Sequence, residues 1–150
     1  MKSKTFKRFD KYFISEMHDW AIPTLRVALG IVFFWFGGLK VAGVTPVTDL
    51  VSQTYSFMPT ELFMFVLGIW EVLIGLGLLL KKFLRPTLFL LWLQMLGTLF
   101  TFVLCPTMFF RVGNPFLLTV EGEFVVKNFV LIAASLVIGG YEVKPMKWYE

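Results

Sequence analysis

Hydrophobic residues are grouped along the chain into four long runs, which cover residues 20–44, 62–80, 86–105 and 124–141. Each run approaches the roughly 20 residues that an α-helix needs to cross a hydrocarbon layer about 30 Å thick. Shorter polar segments with proline and glycine separate the runs. The pattern therefore predicts one all-α domain over residues 1–150, an integral membrane bundle of four helices.

The first nineteen residues have a different pattern. Phe6, Phe9, Phe13, Met17 and Trp20 recur at steps of three and four, while lysine and arginine take the other faces. Such spacing is typical of a basic amphipathic helix that lies on a membrane surface. We expect residues 1–19 to form an interfacial arm, with a disordered tail as the alternative.

Lysine and arginine are unevenly distributed outside the four runs. They cluster in the arm, in the 81–86 turn and in the tail, whereas the other two connections hold only Arg111. Because cytoplasmic segments are enriched in positive charge, both termini are predicted to face the cytoplasm. The expected location is the inner (cytoplasmic) membrane of a bacterium.

Composition excludes several kinds of chemistry. The chain is 57% hydrophobic with a mean hydropathy of +0.76, and it holds one cysteine and one histidine. An internal disulfide, bis-histidine haem ligation and a histidine cluster for copper or zinc are therefore excluded within the chain alone, and no metal site is expected. The net charge of +4 does not indicate nucleic-acid binding, since the basic residues lie at predicted helix ends. The lipid bilayer is the expected partner.

Charged residues inside or beside the runs are the main candidates for a site: Arg26, Lys40, Glu71, Glu123 and Lys127. A charge at the centre of a membrane helix costs about 2.5–3.5 kcal/mol on insertion scales, so such residues usually face the protein interior and are paired.

Helical spacing places these charges on stripes of polar and small residues. The four predicted stripes are Arg26–Gly30–Phe33–Gly37–Lys40, Gly68–Glu71–Gly75, Gln94–Thr98–Thr101–Cys105 and Glu123–Lys127–Val130–Ala134. Gly30, Gly37, Gly68 and Gly75 are expected to let helices approach closely. The stripes should converge inside the bundle.

The depth of each charged residue in the membrane indicates which of them can be neighbours. At 1.5 Å per residue, Glu71 lies near the midplane, with Lys127 about 7 Å and Lys40 about 12 Å to the outer side and Arg26 about 9 Å to the inner side. We therefore expect a polar pocket in the outer half that combines Lys40, Glu71, Lys127 and Gln94. Glu123 precedes Lys127 by four residues, the favourable order for a helical ion pair.

Other interpretations of the same residues stay open. Lys40 and Arg26 can instead extend to the headgroups at either surface. Glu71 has no such route, so its alternative is a neutral carboxyl that is hydrogen-bonded to a neighbouring helix. Gln94 and the threonines can also serve only in helix packing.

Three segments carry a family resemblance: "LRVALGIVFFWFGGLK", "LGIWEVLIGLGLLL" and "EGEFVVKNFVLIAAS". They resemble the DoxX-like membrane proteins, and specifically the YkgB-like branch that includes reactive-chlorine resistance proteins. The matching positions are Arg26, Gly37, Lys40, Glu71, Gly75 and Lys127. The chain has Lys127-Asn128 where that branch has Lys-Asp. The resemblance implies a four-helix inner-membrane fold and a link to thiosulfate or quinone redox systems and oxidative-stress defence.

Function is expected to depend on the buried charges. The first hypothesis is a membrane subunit that binds a small lipophilic or anionic ligand such as a quinone. It would have no catalytic residues, would not be an enzyme by itself and would work with a redox partner protein. The second is a small transporter that uses Glu71 as a proton or ion relay and requires a homo-oligomer. The third is a scaffold or assembly factor in which the charges only fix helix register.

Overall fold

The long apolar segments of the chain are helical. A computed structural model describes residues 4–45, 48, 51–52, 59–111, 114 and 116–144. Within them, four helical segments are long and apolar enough to cross a membrane, which confirms the predicted all-α four-span architecture. The helices used below are α1 (Lys4–Val41), α2 (Thr60–Leu80), α3 (Leu84–Leu104), α4 (Pro106–Phe109), α5 (Val120–Val126) and α6 (Asn128–Glu142).

The predicted arm and the first span form a single helix, α1, of 38 residues with Pro23 inside it. At 1.5 Å per residue α1 is about 57 Å long, nearly twice the thickness of a hydrocarbon layer. Phe6, Phe9, Phe13 and Trp20 are each more than half exposed. The helical part of the arm prediction therefore agrees with the structure, while its position at the membrane surface stays a prediction and residues 1–3 lie outside the described residues.

The fourth span begins earlier than predicted and is interrupted. It runs over Val120–Glu142 as α5 and α6, with a turn at Lys127 between them. Thr119 caps α5, because its side-chain oxygen accepts a hydrogen bond of 3.1 Å from the backbone N–H of Gly122. Capping by threonine satisfies a helix-end donor that no backbone carbonyl can reach. The span therefore starts at residue 120 instead of 124.

The four spans form a closed ring in which each contacts the next: α1 with α2, α2 with α3, α3 with α6, and α6 with α1. We call the end that holds residues 81–83 the turn end, and the opposite end, which holds α4 and residues 110–111 and 116–118, the loop end. The bundle core on the turn-end side is apolar and consists of Leu29, Phe33, Ile74, Leu78, Leu84, Leu88, Leu91, Met95 and Ile138.

Glycines bring α1 and α2 into backbone contact. A Cβ atom placed on Gly37 would lie 2.7 Å from the carbonyl oxygen of Gly68, and one on Gly75 would lie 2.5 Å from the backbone nitrogen of Phe34. Gly30 approaches α2 as well, since a Cβ there would lie 3.2 Å from the carbonyl oxygen of Gly75. Small residues at a membrane-helix interface allow dispersion contacts that larger side chains would prevent. This contact sets the distance between the two helices.

Replacing Gly37 by alanine should therefore destabilise the protein, whereas the same change at the adjacent Gly38 should not. A Cβ atom on Gly38 meets nothing within 4 Å. Both changes give the same gain in helix propensity, so their difference isolates the cost of forcing α1 and α2 apart, which we expect to be about 1–3 kcal/mol. Thermal unfolding of the purified protein in lipid nanodiscs measures it. Equal stability of Gly37→Ala and Gly38→Ala would contradict the close contact.

Candidate ligand-binding site

A lysine and a glutamate from neighbouring spans form an ion pair inside the bundle. Lys40 Nζ lies 2.6 Å from Glu71 Oε2, and the side chains are only 7% and 10% exposed. Gly37 and Gly68 each lie one turn before these residues, so the closest approach of α1 and α2 occurs beside the pair. Because both side chains are buried, each charge is stabilised mainly by the other instead of by water.

Gln94 extends the pair to a third helix. Its side-chain Nε2 donates a hydrogen bond of 2.5 Å to Glu71 Oε1, so the two carboxylate oxygens have donors from α1 and from α3. Thr98 Oγ1 donates to the Gln94 carbonyl at 3.1 Å, and Thr101 Oγ1 donates to the Thr98 carbonyl at 2.6 Å. The hydroxyl protons of this stripe are thus used within α3.

A cavity of about 550 Å³ opens beside the Lys40–Glu71–Gln94 group and is lined by all four spans. Most of its wall is apolar, with Phe33, Phe36, Trp70, Phe124 and Leu131 among the lining side chains. The volume falls in the range of about 300–1,000 Å³ that is usual for small-molecule sites. Its polar lining comes from Lys40, Glu71, Gln94, Thr98, Thr101, Lys127 and Asn128.

Two amide side chains in this wall have unsatisfied atoms. Gln94 Oε1 and Asn128 Nδ2 are buried and have no hydrogen-bond partner among the described residues. The two residues are 8% and 5% exposed. A buried polar atom without a partner is rare in proteins and calls for an explanation such as a ligand.

Lys127 and Glu123 do not form the expected ion pair. Both side chains are exposed, and within the described part of the chain no carboxylate lies within 4 Å of Lys127 Nζ. Although its side chain is exposed, Lys127 is one of the residues that line the cavity. The structure thus places Lys127 at the site but leaves Glu123 outside it.

The stripe predicted for the fourth span is wrong by about one residue. Glu123, Lys127 and Val130 are exposed, whereas Asn128, Ser135 and Ile138 form the buried face of α6. Gly122 and Val125 continue this buried face in α5, before the turn at Lys127, so the predicted stripe lay on the wrong side along the whole span. The polar residues Asn128 and Ser135, two helical turns apart, were the signal that would have identified this face.

Arg26 belongs to a second charged group, at the turn end. Its Nε lies 2.9 Å from Glu142 Oε2, and Lys81 Nζ lies 2.9 Å from Glu142 Oε1. Arg26 Nη1 also donates to the carbonyls of Leu78 and Leu79 in the last turn of α2. Arg26 is thus buried at a place separate from the Glu71 pocket, and its carboxylate partner is Glu142, which was not among the predicted residues.

Glu142 was missed because it follows the predicted end of the fourth span at residue 141. The carboxylate is 7% exposed and joins α6 to α1 and to the α2–α3 turn. A glutamate at the end of an apolar run normally indicates a solvated helix end, so the sequence offers only weak grounds for predicting its burial.

Comparison with known proteins identifies a family for the larger part of the chain. A family model described as DoxX matches residues 21–104, a range that includes Arg26, Lys40, Glu71 and Gln94 and ends before Lys127 and Asn128. The match does not separate the YkgB-like branch from the rest of the family. No curated protein and no solved structure matches the chain significantly.

Replacing one member of the Lys40–Glu71 pair should destabilise the protein more than replacing both members. Lys40→Met or Glu71→Leu alone leaves one buried charge without a partner, which costs about 3–5 kcal/mol. The double variant leaves neither charge and should recover most of that loss. Thermal unfolding of the two single variants and the double variant in nanodiscs tests this, and a double variant as unstable as the sum of the single ones would show that the pair does not exist.

Proposed function

The chain belongs to the DoxX family, and from this premise and the cavity described above we propose that it is a membrane subunit that binds a quinone in a quinone-linked redox system. The observation that carries the proposal is an apolar cavity lined by all four spans, with lysine and amide groups concentrated on part of its wall. Quinones combine an apolar ring with carbonyl oxygens that need hydrogen-bond donors.

The cavity offers two kinds of surface to such a molecule. Phe33, Phe36, Trp70 and Phe124 provide aromatic surface for a ring. Lys40, Lys127 and Asn128 provide N–H donors, and charge-assisted hydrogen bonds are the stronger ones. An apolar wall with a few convergent polar groups is the usual composition of a small-molecule site.

The two lysines have different roles in this proposal. The charge of Lys40 is balanced by Glu71, which is its one hydrogen-bond partner among the described residues, so two of its three N–H groups are available to a ligand oxygen. No carboxylate of a described residue balances the charge of Lys127, so its ammonium group is free to approach a second ligand oxygen at the exposed side of the cavity. Glu71 keeps the site close to neutral beside Lys40.

A redox role requires a partner protein. The chain has one cysteine and therefore no dithiol of its own. We propose that a partner protein supplies or accepts the electrons, and that this system serves oxidative-stress defence. The distribution of lysine and arginine supports a location in the bacterial inner membrane with both termini in the cytoplasm.

A transmembrane relay through Glu71 is less well supported. The apolar core cluster, which includes Ile74, Leu78 and Leu91, lies between Glu71 and the Arg26–Glu142 group. Proton or ion transfer would need polar groups or water through that layer.

The scaffold hypothesis makes a separate prediction, since a scaffold would keep its activity when both Lys40 and Glu71 are replaced by apolar residues.

Quinone affinity should depend on Lys127 but not on a lysine outside the cavity. Lys127→Met removes a charge-assisted hydrogen bond and should weaken binding about tenfold. Lys82→Met is the matched control, because Lys82 is an exposed lysine at the turn end. Isothermal titration of a short-chain ubiquinone into nanodisc-embedded protein measures both. Absence of saturable binding, or an equal effect of the two variants, would refute the proposal.

A further inference from the structure

Gln94 has a fixed orientation that leaves its oxygen unpaired. Its Nε2 donates to Glu71 Oε1, so the Oε1 atom is the part of the amide that has no partner. Since Glu71 Oε2 accepts from Lys40, both carboxylate oxygens already have donors. Gln94 Oε1 is thus a hydrogen-bond acceptor without a donor at the wall of the cavity.

Asn128 provides the complementary group from α6. Its Nδ2 is a buried donor without an acceptor among the described residues, and the side chain lines the same cavity. The threonines of the wall do not supply what Gln94 lacks, because the hydroxyl protons of Thr98 and Thr101 are donated to backbone carbonyls. Besides the two lysines, which can only donate, the described part of the wall therefore offers an unpaired acceptor on Gln94 and an unpaired donor on Asn128.

We propose that Gln94 and Asn128 form a subsite specific for a hydroxyl group, so that the cavity binds a hydroquinone more tightly than the corresponding quinone. A hydroxyl can donate to Gln94 Oε1 and accept from Asn128 Nδ2 at the same time. A quinone carbonyl or an ether oxygen can only accept, which leaves Gln94 Oε1 buried and unpaired, and that is unfavourable. The assignment of the ligand class rests on the function proposed above.

Both atoms have almost no exposed surface, so a ligand that reaches them must displace the neighbouring groups. A hydroxyl and a methoxy group on the same ring system require displacements that differ by one methyl group. The loss of their affinity difference in a variant without the Gln94 acceptor therefore assigns that difference to the hydrogen bond that the ligand donates.

A pair of probes that cannot change redox state tests the subsite directly. 2-Naphthol and 2-methoxynaphthalene share a ring system, and only the first can donate a hydrogen bond. Nanodisc-embedded protein should bind 2-naphthol about tenfold more tightly or better. 1,4-Naphthoquinone and its hydroquinone, titrated without oxygen, should show the same order. A ratio near one in both pairs would overturn the inference.

Two variants assign the selectivity to the named residues. Gln94→Met removes the acceptor, so the ratio of the two probe affinities should fall to about one. Asn128→Asp replaces the donor by an acceptor, to which a hydroxyl can still donate and an ether cannot, so it should weaken 2-methoxynaphthalene more than 2-naphthol and increase the ratio. A merely structural role of these residues would change both probe affinities together and leave the ratio unaltered, and that result would count against the subsite.

Failure of the inference can be separated from failure of the proposed function. Saturable quinone binding with equal affinity for hydroxyl and methoxy probes overturns the subsite and leaves the quinone proposal standing. No saturable binding of any of the four compounds overturns both. Should Gln94→Met unfold, the wild-type ratios and the ratio measured with Asn128→Asp still decide the question.

Discussion

A charge inside a hydrocarbon layer must obtain its stabilisation from the protein, and in this chain that requirement links Lys40 to Glu71. The two atoms that carry the interaction lie 2.6 Å apart on different helices, so α1 and α2 cannot separate without exposing both charges to lipid. Gly37 and Gly68 make this distance attainable, because a side chain at either position would collide with the opposite backbone. The pair and the glycine contact therefore depend on each other, and Gln94 adds α3 to the same arrangement.

Polar interactions hold the bundle at two levels, and an apolar layer lies between them. At the turn end, Glu142 pairs with Arg26 and Lys81, while Arg26 also binds carbonyls at the end of α2. The Lys40–Glu71 group lies nearer the loop end and is the one that borders the large cavity. The two charged groups thus occupy different environments, since the first joins helix ends and the second supplies part of the polar wall of the cavity. In that wall, the buried atoms Gln94 Oε1 and Asn128 Nδ2 have no hydrogen-bond partner among the described residues.

The architecture and half of the site could be predicted from the sequence, because regular helices keep their spacing. The stripes of α1 and α2 are buried as expected, and Gln94 lies on the buried face of α3. The fourth span departs from its prediction because its charged residues were expected to face inward, whereas the buried face runs through Gly122, Val125 and Asn128 and leaves Glu123 and Lys127 exposed. Periodicity also cannot choose between carboxylates, so Glu142 was not predicted as the partner of Arg26.

Solid-state NMR of the protein in lipid bilayers, with ¹⁵N-lysine and ¹³C-glutamate labels, measures the central contact most directly. The 2.6 Å separation of Lys40 Nζ and Glu71 Oε2 predicts a strong dipolar coupling between the ammonium nitrogen and the carboxylate carbon. That coupling should disappear in Lys40→Met while the coupling from Lys81 to Glu142 persists. A Glu71 carboxylate without any lysine coupling in the wild-type protein would contradict the account.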